Sequence, residues 1–269
     1  MNLLFRRVVY LILFYLLAES ALFGETPIVM GAGNVKSVHN SVQTLFYTPT
    51  VFYQSGQVSG MLCYANRYLV KDFSTSYVAL GFGTKLGSFN FGCERFGNEY
   101  LNWNRAVAGY AQEWGRLQLG VSFNYLKFVS ITSNSDMIFS LCGAKFMASK
   151  ALLLSVSVQN MEQSEMVIDD YRIPIPTIFL MGARWQESRT FALLAECEKD
   201  LQHPINLKIG GEMTLLKPLG VRVGVCKSEV VVPTVGFWFF YNKMQLDVAY
   251  NFDNRIGSSC SISIIYSRL

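Results

Sequence analysis

Charged side chains occur in three consecutive β-type segments near the middle of a sequence that is otherwise rich in apolar residues. Glu196 and Glu198 lie in the first segment, Lys208 and Glu212 in the second, and Arg222 in the third. Residues two or four positions apart point to the same face of a strand, so these five groups are predicted to meet across neighbouring strands as a ladder of ion pairs. Such a ladder either fills an enclosed polar interior or lines a path for a substrate.

Nucleophilic or acid–base catalysis requires a nucleophile beside a histidine or a carboxylate. The two histidines are His39, in a weakly patterned N-terminal segment, and His203, in the loop sequence LQHP, and neither belongs to a recognisable Ser or Asp motif. The six cysteines are about 30 residues or more apart and include no CxxC pair, which disfavours a metal site. We therefore predict a protein that is not an enzyme and holds no metal or cofactor. Its cysteines are expected to pack as small apolar residues or, alternatively, to form disulfides.

The sequence VIDDYRIP is a second group of functional candidates, because it gathers Asp169, Asp170, Tyr171 and Arg172 in one long connection. Such a loop can contact a partner protein or bind calcium, although two adjacent aspartates alone make a weak calcium site. We predict a solvated outside loop whose contact residues would be these four.

The charged residues of the ladder lie in predicted β-strands, because apolar and polar residues alternate there with a period of two. Between positions 205 and 215 the odd positions are mostly apolar and the even positions are polar or small; the apolar set is Ile205, Leu207, Ile209, Met213 and Leu215. Lipid is the simplest solvent for an apolar face so long and so free of charge. Leu207→Arg, placed near the membrane midplane, is therefore expected to cost roughly 2–4 kcal/mol. Lys208→Ala, on the opposite face, is expected to be mild.

The composition is also that of a membrane protein. Hydrophobic residues make up 51% of the 269 residues and charged residues only 16%, whereas soluble proteins average about 25% charged. No stretch beyond residue 25 approaches the roughly 18 consecutive apolar residues of a transmembrane helix. An apolar chain without helical spans indicates a transmembrane β-barrel. The net charge of +4 is modest and does not indicate a nucleic-acid partner.

The sequence divides into three regions. Residues 1–24 combine two arginines, an apolar run and small residues, the pattern of a secretory signal peptide. Residues 25–56 form either a surface or periplasmic segment or a short helix or plug, acting as a hatch, in a barrel mouth. Residues 57–269 contain about fourteen strands with alternating long and short connections, as in an all-β, antiparallel barrel of the outer membrane. The predicted strand starts are Gln57, Ser76, Ser88, Arg105, Arg116, Asp136, Lys150, Thr177, Thr190, Ile205, Leu219, Pro233, Lys243 and Ser259.

Several phrases of the sequence resemble exported barrels related to PorV and PorQ of type IX secretion and, more remotely, the FadL-type long-chain fatty-acid transporters. They are ANRYLVKDFST (65–75), YRIPIPTIFLMGARW (171–185), AECEKDLQHPINLKIGGEM (195–213) and LKPLGVRVGV (216–225). LFYTPTVF (45–52) is similar to the family's N-terminal segment, in which an aromatic residue and Asn-Pro-Ala-Gly turn the chain into the lumen. Here Thr48 and Thr50 stand in place of the asparagine and the alanine around Pro49.

Two functions agree with this interpretation. The resemblance to PorV and PorQ implies a scaffold or interaction component of a secretion or surface-attachment system. The FadL-like alternative implies a conduit for hydrophobic small molecules. The expected partners are outer-membrane lipid together with either secretion-system proteins or a hydrophobic ligand. A conduit is expected to have a gap in its wall or an apolar cavity in its lumen, whereas a scaffold is expected to have a filled lumen and exposed apolar loops.

Overall fold

The computed structural model describes residues 25–131, 133–168, 171–201, 203–227 and 230–268. The predicted signal peptide, residues 1–24, lies outside these residues, as do Asp169 and Asp170 of the VIDDYRIP loop. Within the described part of the chain, no helix is both long enough and apolar enough to cross a membrane.

Fourteen antiparallel strands form a closed barrel, which confirms the predicted fold class. The barrel strands are β1 (Val58–Asn66), β2 (Ser74–Thr84), β3 (Gly87–Gly97), β4 (Leu101–Trp114), β5 (Leu117–Ser130), β6 (Asn134–Met147), β7 (Leu152–Gln159), β10 (Ile178–Trp185), β11 (Phe191–Asp200), β12 (Asn206–Leu216), β13 (Leu219–Lys227), β14 (Val231–Tyr241), β15 (Met244–Asn251) and β16 (Ser259–Arg268). The connection between β7 and β10 contains a separate hairpin of β8 (Glu165–Ile168) and β9 (Tyr171–Pro174). Pairing of β1 with β16 closes the cylinder.

The barrel has a short-turn end and a long-loop end. Turns such as 85–86 and 217–218 leave two residues between strands, whereas residues 67–73 and 160–177 form long connections at the opposite end. Bacterial barrels place short turns in the periplasm and long loops outside. Each predicted strand start lies within four residues of an observed one. The strands extend further than predicted at the long-loop end, and the hairpin β8–β9 was not predicted.

The outer face of the barrel is apolar. In β12, Leu207, Ile209, Met213 and Leu215 are exposed on this face, while Lys208 is buried on the inner face. The same alternation of exposed and buried residues runs through the other barrel strands, because successive side chains of a strand point to opposite faces. A closed barrel satisfies every backbone group of its strands internally, so this apolar surface can lie in a lipid bilayer.

The lumen of the barrel is filled by residues 26–54, which we call the luminal segment. It contains the short helix α1 (Pro27–Gly31) and a 3₁₀ turn (Val42–Thr44), and nearly all of its residues are buried. The helix α1 packs against β13, β14, β15 and β16. The chain leaves the lumen at the short-turn end, where Gln54 lies beside the end of β2, and then continues into β1.

Glycines in the wall allow the luminal segment to lie directly against the strands. A β-carbon at position 210 would lie 2.4 Å from the carbonyl oxygen of Ala32, and one at position 224 would lie 2.3 Å from the backbone nitrogen of Gly33. A β-carbon at Gly120 would lie 2.4 Å from the carbonyl oxygen of Pro49. Any other residue at these three positions would push the backbone of the luminal segment away from the wall.

Candidate functional site: a two-sided lumen

The wall of the lumen has two chemically different sides. The side formed by β10–β15, which we call the charged side, carries Arg184, Glu196, Glu198, Lys208, Glu212, Arg222 and Asp247. The side formed by β1–β6, which we call the apolar side, carries Met61, Tyr77, Phe96, Trp103, Val107, Leu126, Phe128, Met137, Phe139 and Leu141. The apolar side also includes the buried Glu94, Arg105 and Lys145.

Lys208 lies at the centre of the first ion-pair cluster on the charged side. Its Nζ is 3.0 Å from Glu196 Oε1 and 2.7 Å from Glu198 Oε2. Lys36 of the luminal segment also pairs with Glu198, at 2.8 Å. The backbone N–H groups of Lys36 and Ser37 donate to Glu196 Oε2 at 2.9 and 2.7 Å. These charge-assisted bonds attach the luminal segment to the wall.

Arg222 and Glu212 form the centre of a second cluster, closer to the short-turn end. Arg222 lies 3.0 Å from Glu212 and 2.6 Å from Asp247. Arg184 pairs with the other oxygen of Glu212 at 2.7 Å. His39 of the luminal segment places Nδ1 3.7 Å from Glu212. Three wall strands and the luminal segment therefore meet at a single carboxylate.

His39 is buried and uncharged at neutral pH. Burial lowers the pKa of this imidazole from 6.5 to about 3, and the carboxylate of Glu212 only partly offsets that effect. The cations of Arg184, Arg222 and Lys145, which face His39 from three other strands, lower the pKa further. A proton on His39 would therefore destabilise the packed luminal segment.

The five residues of the predicted ladder fall into both clusters. Glu196, Glu198 and Lys208 are in the first cluster, and Glu212 and Arg222 are in the second. Sequence reasoning missed the partners from the luminal segment, because that segment has no period that indicates which residues face the wall. It also missed Arg184, whose place on the inner face follows from the alternation in β10.

The contacts of Lys208 argue against the expectation that Lys208→Ala would be mild. Lys208 is 2% exposed and bonds to two buried carboxylates. Removing this ammonium would leave both carboxylates without one of their cations, which is costly in a buried site.

Residues 42–53 of the luminal segment, which we call the apolar limb, pack against the apolar side, except that Gln43 donates to Asp247 of the charged side at 3.0 Å. Val42, Leu45, Phe46 and Val51 are fully buried against the apolar side. The ring of Phe46 lies 5.1 Å from the ring of Tyr77. The remaining members of this cluster are Tyr53, Met61, Cys63, Ala65, Ala79, Val107 and Ile265. Residues 31–39, which bond to the charged side, are called the anchored limb.

Two buried cations of the apolar side also bond to backbone carbonyls of the apolar limb. Arg105 donates to the carbonyl of Phe46 at 2.7 Å, and Lys145 donates to that of Thr50 at 3.0 Å. Each cation has a second acceptor elsewhere in the protein, so neither depends on the apolar limb alone. The second acceptors are Asn124 Oδ1 for Arg105, at 2.9 Å from Nε, and the carbonyl of His39 for Lys145, at 2.5 Å.

A second apolar cluster lies at the long-loop end of the lumen, beneath the hairpin β8–β9. Met166, Ile173 and Ile175 of the hairpin region are buried against side chains of β3–β6. The rings of Trp103 and Phe128 pack at a tilt at this site, with ring centroids 4.6 Å apart. The other wall members are Phe96, Leu126, Met137, Phe139 and Leu141. We call this group the mouth cluster.

The hairpin occupies the connection that was expected to be a solvated loop. Arg172 is exposed and lies 3.6 Å from Glu165 on the neighbouring hairpin strand. Tyr171 is the first residue of β9. Asn160 fixes the base of the hairpin, since its Nδ2 donates to the carbonyl of Ile175 at 2.8 Å. The prediction of a contact site in this loop remains untested, because its two aspartates lie outside the described residues.

Hydrogen-bonded pairing between the described strands closes the wall around the full circumference. The register shifts between Thr214 and Leu216 of β12, and the pairing continues on both sides of this point. A closed wall and a filled lumen agree with the expectation for a scaffold. A conduit was expected to have a gap in its wall or an apolar cavity in its lumen; the apolar side and the mouth cluster supply apolar lining, but the luminal segment and the hairpin cover it.

The cysteines and metal-ligand residues add no further site in the described part of the chain. All six cysteines have free thiols. Within the described residues, no three or more His, Cys, Asp or Glu side chains are grouped as they would be around a metal ion.

No protein-family model and no curated protein sequence matches the chain. Solved structures with a similar fold are outer-membrane barrels. The monoaromatic hydrocarbon channel CymD has a TM-score of 0.64 at 11% identity, over 91% of this chain and 97% of that chain. The toluene transporter TbuX of Ralstonia pickettii has a TM-score of 0.66 at 10% identity, over 91% and 98%. A FadL homologue of Pseudomonas aeruginosa has a TM-score of 0.56 at 10% identity, over 91% and 97%. The chain therefore has the fold of FadL-like barrels, and with its apolar outer face it is a protein of the outer membrane.

Proposed function

We propose that this barrel is a conduit for hydrophobic small molecules across the outer membrane. The observation that carries the proposal is a pair of apolar clusters on the same side of the lumen, the mouth cluster and the cluster around Phe46, with Arg105 and Asn124 between them. Barrels of the same fold include channels for monoaromatic hydrocarbons and a toluene transporter. No catalytic group enters this account, since the buried charges bond to one another or to the luminal segment.

In this proposal the luminal segment is a hatch of which one limb moves. A hydrophobic molecule on the apolar side would replace apolar contacts of the apolar limb with similar contacts of its own, so the exchange costs little. Arg105 and Lys145 would keep their second acceptors when the limb leaves. The anchored limb would stay, because its release would separate the buried Lys36–Glu198 ion pair, at a cost of about 3–5 kcal/mol, and the N–H bonds to Glu196.

A scaffold function is the second candidate. The filled lumen favours it, and so do apolar side chains exposed in the outside connections, such as Leu69, Tyr100 and Ile131. Exposed apolar loop residues suit contact with another protein. The PorV/PorQ-like task in secretion that the sequence resemblance implies would use this surface.

Uptake by intact cells tests the conduit. Cells that lack their own transporters for hydrophobic compounds would express the barrel, and the uptake of radiolabelled toluene, oleate and glycerol would be measured. We expect faster uptake of toluene or oleate than in cells without the barrel, with no change for glycerol. Uptake at the level of the empty cells, together with a stoichiometric protein partner recovered in mild detergent, would support the scaffold instead.

Two large-to-small variants locate the path. Val51→Ala enlarges the space on the apolar side, whereas Val38→Ala makes the same change in the anchored limb; both residues are buried. We expect Val51→Ala to raise the uptake of the transported compound several-fold and Val38→Ala to leave it unchanged. Equal effects would contradict a path along the apolar side.

A further inference from the structure

The outer face of β2–β6 contains a hollow of about 530 Å³. Its floor has small side chains, because Cys93, Ala106 and Ala108 lie side by side on β3 and β4. Its walls are the larger exposed side chains of the same face, which are Val78, Leu80, Phe91, Phe123, Tyr125 and Ile138. The hollow opens towards the lipid bilayer and is lined almost entirely by apolar groups, so its shape and chemistry suit an acyl chain.

A row of polar residues lies directly beyond the hollow, towards the long-loop end. In the register of the sheet, Arg95 of β3 lies opposite Asn104 of β4. On the other side of Asn104 lies Lys127 of β5, and Asp136 of β6 lies opposite Lys127. Arg95 and Lys127 are exposed and lie on the same outward face as Cys93 and Tyr125, two residues further along their strands. Two strand spacings place their Cα atoms about 10 Å apart, so both side chains can reach one headgroup.

We propose that this face binds a lipid of the outer leaflet that carries an anionic, phosphate-bearing headgroup. Its acyl chain would lie in the hollow, and its phosphate would lie between Arg95 and Lys127. The amide of Asn104 donates one N–H to Asn102 and could donate the other to the phosphate. The position fits, since the polar row is at the outside end of strands whose remaining outward residues are apolar. Basic side chains beside apolar surface are the usual means of holding anionic lipids.

Asp136, which lies beside Lys127, gives the proposed lipid site a further testable property. Its Oδ2 accepts a hydrogen bond from Tyr125 Oη at 3.2 Å, and it lies directly across from Lys127. A carboxylate in this position weakens the attraction for a phosphate. Removal of its charge should therefore strengthen binding, whereas removal of the charge on either basic residue should weaken it.

Native mass spectrometry of the barrel protein in detergent tests the proposal, with phosphatidylglycerol and phosphatidylcholine of identical acyl chains as probes. We expect one molecule of phosphatidylglycerol to bind in preference to phosphatidylcholine. Arg95→Gln and Lys127→Gln should each weaken that binding by about fivefold, and Asp136→Asn should strengthen it. Ala106→Leu, which fills the hollow, should weaken the binding of both lipids.

The matched controls lie elsewhere on the outer face. Lys227 is an exposed basic residue at the outside end of β13, and Ala195 is an exposed alanine of β11. Lys227→Gln and Ala195→Leu should not change lipid binding. Equal affinity for the two lipids, or equal effects of the control and test variants, would overturn the proposal. A dimer that disappears in Ala106→Leu would also overturn it, since the hollow would then hold a second copy of the barrel.

Discussion

The two sides of the lumen hold the same segment of chain by different forces. On the charged side, the anchored limb bonds to the wall carboxylates Glu196 and Glu198 through Lys36 and Ser37. On the apolar side, the apolar limb is held mainly by packing around Phe46, and its carbonyls accept from cations that have other acceptors. Ion pairs in a buried site are costly to break, whereas apolar contacts can be exchanged for those of another apolar molecule. The difference predicts a hatch that is fixed on one side and displaceable on the other.

The largest effect is expected from removing the central cation of the charged side. Lys208→Ala leaves Glu196 without its ammonium partner and Glu198 with Lys36 alone, and should lower the free energy of unfolding by about 3–5 kcal/mol. Urea unfolding of the barrel in micelles measures this change. Lys227→Ala, at an exposed position, should change it by less than about 0.5 kcal/mol. Similar values for the two variants would show that the charged side does not anchor the hatch.

The next largest effect is expected from arginine substitutions on the lipid-facing side of β12, where the loss of stability should depend on the depth of the position in the membrane. Leu207 is the second residue of β12 at the long-loop end and pairs with Lys227, so it lies near the membrane boundary rather than at the midplane that the sequence suggested. Ile209→Arg, deeper in the apolar band, should cost roughly 2–4 kcal/mol, and Leu207→Arg only about 0–1 kcal/mol. Equilibrium unfolding in lipid vesicles measures both. A larger cost at position 207 than at position 209 would show that the apolar band of the outer face lies nearer the long loops.

Adjacent glycines of β12 test the contact between the wall and the anchored limb. A β-carbon at Gly210 meets the backbone of Ala32, whereas one at Gly211 comes no nearer than 3.9 Å to any other atom. Gly210→Ala should therefore lower the free energy of unfolding by about 1–3 kcal/mol and make the luminal segment more accessible to protease, while Gly211→Ala should do neither. If both variants behave alike, the luminal segment does not lie against the wall at this point.

Acidification should loosen the anchored limb through His39. The pKa of His39 is about 3 in the folded protein and 6.5 in its ordinary state, so between these values the unfolded chain binds more protons. Stability due to this group is complete above pH 6.5 and falls at lower pH, by up to about 1.4 kcal/mol for each unit. Urea midpoints at pH 7.5 and 5.5 measure the slope. His39→Gln should reduce it, and an unchanged slope would assign the pH dependence to other groups.

Alternation in the sequence was enough to predict the barrel, because lipid on one face and the lumen on the other impose a period of two on each strand. It also placed Glu196, Lys208 and Arg222 on the inner face, where they lie. The luminal segment has no such period, since it packs on all sides, so the partners Lys36 and His39 could not be identified. The hairpin β8–β9 was missed for a related reason: its apolar residues alternate over only four positions per strand.

Hydrogen-exchange mass spectrometry of the barrel in nanodiscs, with and without saturating toluene or oleate, tests the two-sided hatch most directly. A conduit with one displaceable limb should show faster amide exchange at residues 42–53 when the transported compound is present. Residues 31–39 should remain protected. Equal protection of both limbs with either compound, or release of both limbs together, would contradict the assignment of anchoring to the charged side and of movement to the apolar side.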